Sequence, residues 1–430
     1  TPNPPCLHDL QGTFHLDPAM PPGDEDDIRD WLTGRIGAGV RMGLTTCSEM
    51  LERLGNPQED FPSVHVAGTN GKGSLCAQLS ALGSRNGELI GLFTSPHLIA
   101  VEERIRIDGR PISEEQFDLF LEEVRQACSI EPAIQPTYFE TTFLASMLAF
   151  SWYGVDRAVI ETGLGGRLDS TRLVDADVCA ITTISMDHSE ILGDSLPKIA
   201  TEKAGIHRSG TPLVCLLHED EGVRGAIEEV AGDDVVWFSP KSRDAQEVAN
   251  QMALEIGSRI GWEEMDVDVT WHGRTFSPLT WSGARFYVSA AHNPESISHD
   301  ISRIAGKRHI LLLGMTQKED LEESISQLSN SDGRFRTIVT EVHGGRMPSV
   351  PAVELADAIS NTSEEDPLLI PEPSDAMDIA SELALEAGCM IFVTGSVYLV
   401  GKIIEEHVSR EGADLCDYLE AHSPRDQTEG

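Results

Sequence analysis

The sequence predicts an α/β protein with two domains, each built on its own mostly parallel sheet. Apolar strand-like runs alternate with helix-like runs along most of the chain, the pattern of a sheet covered by helices on both faces. With 430 residues the chain is long for a single hydrophobic core and sufficient for two. A glycine-rich loop joins the first predicted strand to the helix that follows it.

The first domain is predicted over residues 25–272, after an irregular N-terminal extension at 1–24. Helical periodicity begins near Asp26 and resumes over 47–54. Strands are predicted at 63–68, 89–94, 157–162, 178–184, 212–217 and 234–238. Helices are predicted at 74–85, 113–128, 139–153, 194–204 and 244–260.

The second, smaller domain is predicted over 273–430, with the junction in the weakly patterned stretch 263–283. Its strands are predicted at 285–290, 309–314, 336–341, 367–370 and 389–394, and its helices at 320–328, 352–360, 375–387 and 397–408. The polar tail from Ser409 is expected to fray.

The charge balance excludes two classes of partner. The chain has 71 acidic and 32 basic residues, a formal net charge of −39, and only seven lysines. Such a chain repels nucleic acid and anionic lipid. This composition is typical of a salt-rich cytoplasm, where ions screen the self-repulsion, or of an ordinary acidic protein.

The apolar windows and the cysteines of the sequence predict the compartment in which the protein works. No window approaches 18 uninterrupted apolar residues, so no membrane span is expected. The eight cysteines form no C-x-x-C pair, which favours reduced thiols in a cytoplasmic protein. We expect a monomer acting on small molecules.

The loop after the first strand indicates a phosphate-binding site. Gly68, Thr69, Asn70, Gly71, Lys72, Gly73 and Ser74 follow the apolar run 64–67. Glycines let backbone N–H groups approach phosphate oxygens, the helix N-terminus adds positive potential, and Lys72 adds a full charge. Ser74 is placed to bind Mg²⁺, although Gly73 separates it from the lysine, so the match to the standard loop motif is imperfect. A plain glycine-rich turn is the alternative.

Polar clusters follow three further strands, where parallel sheets bind ligands. They are 94–98, 161–169 and 185–188. Glu161, His188 and Ser74 meeting at this edge would suit Mg²⁺ bridging nucleotide phosphates. Singly, Glu161 could cap a turn and His188 could be merely hydrogen-bonded.

Further polar residues lie at the ends of predicted helices and strands or in the junction between the domains. Lys203 ends a predicted helix, where it could compensate the helix dipole or, in so lysine-poor a chain, face the site. In the second half, 290–294, 314–318 and 394–396 follow strands, and Arg274 lies in the junction. These segments also indicate one edge of a sheet.

Together these segments resemble the folylpolyglutamate synthase and dihydrofolate synthase family, a branch of the Mur ligase superfamily. The resemblance covers about residues 27–408 and is most specific over 161–206. The matching pieces are HVAGTNGKGS (65–74), TSPHL (94–98), ERIRIDG (103–109), TYFETTF (137–143), ETGLGGRLDST (161–171), SMDHSEILGDS (185–195), IATEKAGI (199–206), AHNP (291–294) and VTGSVYLVG (393–401).

The resemblance implies a Mur-ligase-type ATP-binding domain followed by a Rossmann-like glutamate ligase domain, with ATP and two Mg²⁺ ions. It implies that Ser74, Glu161 and His188 hold the Mg²⁺ at the triphosphate and that Lys72 and the loop amides bind phosphates. Lys203 resembles a lysine whose carbamate helps to bind a second Mg²⁺. Catalytic roles thus fall on Lys72, Lys203 and His188.

The resemblance also implies three nucleotide contacts outside the loop. Asn250 looks like the asparagine that contacts adenine, Arg274 like the linker arginine that reaches ATP, and His292 like the histidine near it. Ser289 stands where the family usually has aspartate, which affects one nucleotide contact. Arg172 stands where asparagine is common, and the stretch 214–250 is shorter than typical.

The reaction implied is ATP-dependent ligation of L-glutamate to dihydropteroate or a reduced folate through an acyl phosphate. The alternatives are an amide ligase for another pterin-like or deazaflavin cofactor, a cell-wall ligase of the same superfamily, and a non-catalytic nucleotide-binding protein. The residues do not distinguish a dihydrofolate synthase from a folylpolyglutamate synthase or a bifunctional enzyme.

Overall fold

The computed structural model describes residues 27–39, 41–274, 276, 278–318, 320–329, 331–344, 347–363 and 366–423, so the predicted extension at 1–24 lies outside it. Within the described residues the chain forms two sheets, of eight and six strands, with helices packed on them. The predicted α/β fold with mostly parallel sheets is confirmed. The domain limits at 24/25 and 272/273 stay a prediction.

The eight-stranded sheet lies in the first half of the chain. Its strands are β1 (Ser63–Ala67), β2 (Ile90–Phe93), β3 (Ile105–Ile107), β4 (Arg110–Pro111), β5 (Arg157–Glu161), β6 (Ala176–Ile181), β7 (Leu213–Leu216) and β8 (Val235–Phe238). Their order is β4-β3-β2-β5-β1-β6-β7-β8, parallel from β2 to β8. The antiparallel β3 and β4 were not predicted, because strands this short show no alternation.

The helices around this sheet are α1 (Ile28–Thr33), α2 (Thr45–Arg53), α3 (Lys72–Arg85), α4 (Glu114–Ser129), α5 (Tyr138–Tyr153), α6 (Ser189–Leu192), α7 (Leu196–Ala204), α8 (Glu221–Ala231) and α9 (Ala245–Arg259). Capping boxes begin α4, at Ser113 and Gln116, and α5, at Thr137 and Glu140. Helix α8, absent from the prediction, has Asp220 as its N-cap.

The six-stranded sheet uses β9 (Pro278–Trp281), β10 (Ala284–Val288), β11 (His309–Leu313), β12 (Arg334–Val339), β13 (Leu368–Leu369) and β14 (Met390–Thr394), in the order β13-β12-β11-β14-β10-β9. Only β9 is antiparallel to its neighbour. The helices are α10 (Pro294–Ile304), α11 (Leu321–Ser329), α12 (Ala352–Thr362), α13 (Pro373–Ala387), α14 (Val397–Glu411) and α15 (Leu415–Tyr418). Of these, β9, α10 and α15 were not predicted.

Apolar side chains cover both faces of the first sheet. On one face Phe117 of α4 and Phe143 of α5 pack in the same core as Phe93. On the other, Leu79 of α3 and Ile256 of α9 pack together. Two further cores lie against the second sheet. This layering leaves the carboxyl ends of the parallel strands open to ligands.

The C-terminal segment, Leu415–Ser423, returns to the first sheet instead of fraying. Ala421 and His422 are 0% and 6% exposed. Ala421 N donates to Gly109 O (2.9 Å), Thr270 N donates to Ala421 O (2.8 Å), and His422 Nε2 lies 2.9 Å from Ser80 Oγ. The expectation of a fraying tail is therefore wrong for residues 409–423.

None of the helices in the described ranges is long and apolar enough to cross a membrane. The seven cysteines in those ranges are all free thiols.

Candidate active site

The glycine-rich loop predicted to bind phosphate joins β1 to α3. Gly71 precedes the helix with φ of +86°, and α3 begins at Lys72, two residues before the predicted start at 74. The first bond within the helix runs from Leu75 N to Gly71 O (3.0 Å). The amides of Lys72, Gly73 and Ser74 therefore precede the helical ladder, where N–H groups are available to an anion.

The strands beside β1 hold this loop in place. Thr69 N donates to Thr183 O (2.7 Å) and Asn70 N to Thr183 Oγ1 (3.0 Å). A Cβ on Gly68, whose φ is +146°, would lie 1.8 Å from Thr182 Oγ1. Glycine is thus required at 68 by both backbone conformation and space. The amides of Thr69 and Asn70 are already occupied, so the anion-facing donors are those at the start of α3.

Two lysines meet at the loop. Lys72 Nζ donates to Gly68 O (3.2 Å) and Thr69 O (3.1 Å), and Lys203 Nζ donates to the same Gly68 O (2.7 Å). Lys203 is 4% exposed at the end of α7. Burial, followed by the charge of Lys72, lowers its pKa from 10.5 to about 7, against smaller opposing effects of Asp187 and Asp169. Lys203 therefore faces the site and is partly neutral near pH 7.

Glu161 lies beside the loop because of the strand register. The pairing of β5 with β1 places Glu161 opposite Val66, just before the loop. The carboxylate is 4% exposed and accepts a hydrogen bond from Ser95 N (3.0 Å). A Cβ on Gly73 would lie 3.7 Å from Glu161 Oε2. Burial raises the pKa of Glu161, and the charge of Lys72 opposes this most strongly.

His188 is placed differently from the other predicted metal ligands. Its side chain is 52% exposed, its φ is +51°, and its ring nitrogens lie 3.8 Å from Asp187 Oδ1 and from Glu190 Oε1. Across the described ranges no three His, Cys, Asp or Glu side chains are grouped closely enough to hold a metal ion. Lys72, Lys203 and Glu161 thus lie at the loop, while the described side-chain contacts of His188 are with its neighbours Asp187 and Glu190.

The second sheet contributes Arg274 and His292 from adjacent backbone. Ala290 N donates to Gly273 O (2.7 Å), which fastens the linker to the turn after β10. His292 Nδ1 lies 2.9 Å from Ala290 O and must donate to that carbonyl, so Nε2 is left as an acceptor. Burial, then Arg274, lowers the pKa of His292 to about 4, so the ring is neutral at pH 7.

Asn250 lies on α9, one turn after Gln246, whose Nε2 donates to Arg274 O (3.2 Å). Among the residues that the structure describes, none donates a hydrogen bond to the buried Asn250 Oδ1. A buried amide oxygen without a donor is costly unless a ligand supplies one. The exocyclic amine of adenine is a donor of the required kind.

Asn70 of the loop contacts side chains of the second half that the sequence analysis did not assign. Asn70 and Asn293 exchange amide hydrogen bonds of 3.0 and 3.3 Å. Glu295 accepts from Ser185 Oγ (2.8 Å) and from Asn70 Nδ2. Asn293 is also the N-cap of α10, followed by Pro294, and this readable start signal could have revealed the helix.

Arg172 and Ser289, the two residues that depart from the pattern of the family, both form hydrogen bonds. Arg172 donates to Gly205 O and His207 O (both 2.9 Å), the chain just after the helix that carries Lys203. Ser289 Oγ donates to Asp300 Oδ2, and both residues are buried. Arg172 is therefore occupied in holding the backbone.

No protein-family model matches the chain. The chain is 36% identical over 241 residues to the dihydrofolate synthase/folylpolyglutamate synthase of Bacillus subtilis (strain 168), which covers 55% of this chain and 56% of that relative. The chain thus matches a little over half of that curated relative's length.

Two solved structures are similar over most of the chain. The fold matches E. coli FolC in complex with DHPP and ADP with a TM-score of 0.79 at 24% identity, over 91% of this chain and 100% of that one. It matches Mycobacterium tuberculosis folylpolyglutamate synthase, complexed with ADP and AMPPCP, with a TM-score of 0.79 at 26% identity, over 89% and 99%.

Proposed function

We propose that this chain is a member of the folylpolyglutamate synthase and dihydrofolate synthase family and acts as an ATP-dependent ligase that joins L-glutamate to a pteroate or folate carboxylate; the similarity to such enzymes supports this. The observation that carries this proposal is the meeting of Lys72 and Lys203 on one loop carbonyl beside the buried Glu161. That arrangement places two amines and a carboxylate at a loop built for phosphate.

The chemistry requires activation of a carboxylate, because amide formation from a carboxylate and an amine is unfavourable in water. Transfer of the γ-phosphoryl group of ATP to the acceptor carboxylate gives an acyl phosphate with a good leaving group. The α-amine of glutamate then attacks the acyl carbon, phosphate leaves, and ADP is released. Lys72 stabilises the charge on the transferred group through its fixed position at the loop.

We propose that Ser74, Glu161 and His188 hold one Mg²⁺ and that a carbamate on Lys203 helps to hold a second. Hydroxyl and carboxylate oxygens are the ligand types that Mg²⁺ prefers, and in the described part of the chain the buried carboxylate of Glu161 accepts from Ser95 N and forms no ion pair. Bound Mg²⁺ supplies charge neutralisation at the phosphates. Capture of CO₂ needs a neutral amine, which the lowered pKa of Lys203 provides.

We propose that the nucleotide spans from the loop to Asn250. The unpaired Oδ1 of Asn250 fits the adenine amine, and Arg274 and the neutral His292 lie between. The contacts of Asn293 and Glu295 with Asn70 support a closure of the second half over the loop. Closure excludes the water that would hydrolyse an acyl phosphate.

The cellular setting is part of the same proposal. We propose a monomer in a reducing cytoplasm, which the seven free cysteines of the described ranges support.

The test is glutamate-dependent ADP release measured with a panel of acceptors. We expect turnover with dihydropteroate, with a reduced folate, or with both, and none without glutamate or without Mg²⁺. Dihydropteroate alone would identify a dihydrofolate synthase, and a folate alone a folylpolyglutamate synthase. ADP release with only a cell-wall precursor or a deazaflavin acceptor would overturn the proposed substrate class, and Mg·ATP binding without turnover on any acceptor would overturn the proposed ligase activity.

A further inference from the structure

Asp300 is a buried carboxylate that no role assigned so far explains. It lies in α10, is 6% exposed, and accepts a hydrogen bond from Ser289 Oγ. Burying a carboxylate costs several kcal/mol unless hydrogen bonds or a nearby cation compensate it. Burial raises the pKa of Asp300, and Ser289 and, more weakly, His299, Arg303 and Arg274 oppose that rise.

The hydroxyl of Ser289 links Asp300 to the backbone of the turn that follows β10, residues 289–292. Ser289 Oγ donates to Asp300 and accepts from Ala291 N (3.2 Å). Within the same turn Ala290 N bonds to Gly273 O (2.7 Å), and Ala290 O accepts from His292 Nδ1 (2.9 Å). One buried carboxylate therefore fixes the backbone that orients His292 and, through Gly273, the start of Arg274.

The guanidinium of Arg274 needs such support. Inside the described ranges it takes part in no hydrogen bond or ion pair, although its backbone is held by Trp271 and Gln246. Burial lowers the pKa of Arg274, and the carboxylates of Glu161 and Asp300 both oppose that lowering. A guanidinium held by charge alone keeps its hydrogen-bond donors available to an anion.

We propose that Asp300, acting through Ser289, is a positioning residue for nucleotide binding: it fixes the 289–292 turn and aims Arg274 and His292 into the site. This inference rests on the proposed function, because it assumes that a nucleotide occupies the site. It also accounts for the serine at 289, since the carboxylate that the position lacks is supplied from α10.

The experiment is calorimetric titration of the full chain with Mg·ADP, together with thermal unfolding of each variant without nucleotide. We expect D300A and S289A each to raise the Kd about tenfold, the usual effect of losing one charge-assisted hydrogen bond. The double variant should bind no more weakly than the weaker single variant, because both changes break the same link. The exchanged pair S289D/D300S, which restores a carboxylate–hydroxyl contact, should recover binding to within about threefold.

Ser84 and Asp108 provide the matched control. They form the same kind of buried contact, with Ser84 Oγ donating to Asp108, in the first half of the chain rather than at the 289–292 turn. Asp108 has a φ of +52°, which asparagine tolerates, so D108N and S84A are suitable. Both should alter the melting temperature but leave the Kd for Mg·ADP unchanged.

The outcomes separate the two levels of inference. A wild-type chain that does not bind Mg·ADP would overturn the proposed function. A wild-type chain that binds, with D300A at the same Kd or with the effects of D300A and S289A multiplying in the double variant, would overturn the role of Asp300 alone. If D300A does not fold, D300N, which keeps the shape but removes the charge, should still weaken binding about threefold, and an unchanged Kd would count against the proposal.

Discussion

Replacing Lys203 by methionine should stabilise the protein at neutral pH while removing its activity. Methionine fits the volume of the buried side chain and carries no charge. The drop in the pKa of Lys203 from 10.5 to about 7 corresponds to a destabilisation of at most about 5 kcal/mol when the amine is protonated. At pH 7 about half of the amine is neutral, against roughly 0.03% for an ordinary lysine.

The sign of the pH dependence follows from proton counting. Between pH 7 and pH 10.5 the unfolded chain binds more protons at this lysine than the native chain, so the free energy of unfolding of the wild type rises with pH in that window. The stability advantage of K203M should therefore shrink by about 2 kcal/mol between pH 7 and pH 9.

The assay is urea unfolding at fixed salt in CO₂-free buffer, with comparison of slopes to confirm that the two chains expose the same surface. The control is K198M on the same helix, where Lys198 is exposed and paired with Asp194, and its effect should stay within about 0.5 kcal/mol at all pH values. Parallel stability curves for wild type and K203M from pH 7 to pH 9 would refute the reasoning, and a fully active K203M would refute the proposed carbamate.

Three further predictions concern the loop, the metal site and the surface. G68A should bind Mg·ADP at least about tenfold more weakly, because its Cβ would lie 1.8 Å from Thr182 Oγ1; calorimetry giving the wild-type Kd would contradict the loop geometry. E161Q and H188A should each lower kcat by about 10²-fold or more with intact folds, and wild-type rates at saturating Mg²⁺ would remove those residues from the metal site. The melting temperature should rise on the order of 5 °C from 0.01 M to 1 M salt, because ions screen the charge of −39; a constant value in scanning calorimetry would disprove salt adaptation.

The places of the glycine-rich loop and of Glu161 could be predicted from the sequence because their signals are local, while their roles in binding phosphate and Mg²⁺ stay a prediction. The loop from Gly68 to Ser74 follows one apolar run and precedes another, and Glu161 ends a neighbouring strand. The rule that ligands bind at the carboxyl ends of parallel strands then brings them together without knowledge of side-chain contacts. The start of α3 at Lys72 differs from the prediction because the glycines at 71 and 73 obscure the first turn.

The contacts across the two sheets could not be predicted, since they depend on how two separate layers pack. Nothing near Glu295 in the sequence indicates that its carboxylate accepts from Ser185, 110 residues earlier. The hydrogen bond between Ser289 and Asp300 could not be predicted either, because α10, which carries Asp300, was not predicted. Likewise nothing in the sequence indicates the 52% exposure of His188 or its positive φ of +51°, which is uncommon for a residue other than glycine.

The return of the C-terminal segment to the first sheet has a mechanical consequence for the cleft. The linker at Thr270 and the segment at Ala421 run side by side and share a hydrogen bond, so two chain segments cross between the halves at one place. The stack of His272 on Tyr418, with ring centroids 4.5 Å apart, braces that crossing. Two parallel segments bend easily about the line through them but resist twisting and sliding. We therefore expect any opening between the two halves to follow mainly one rotation about this crossing.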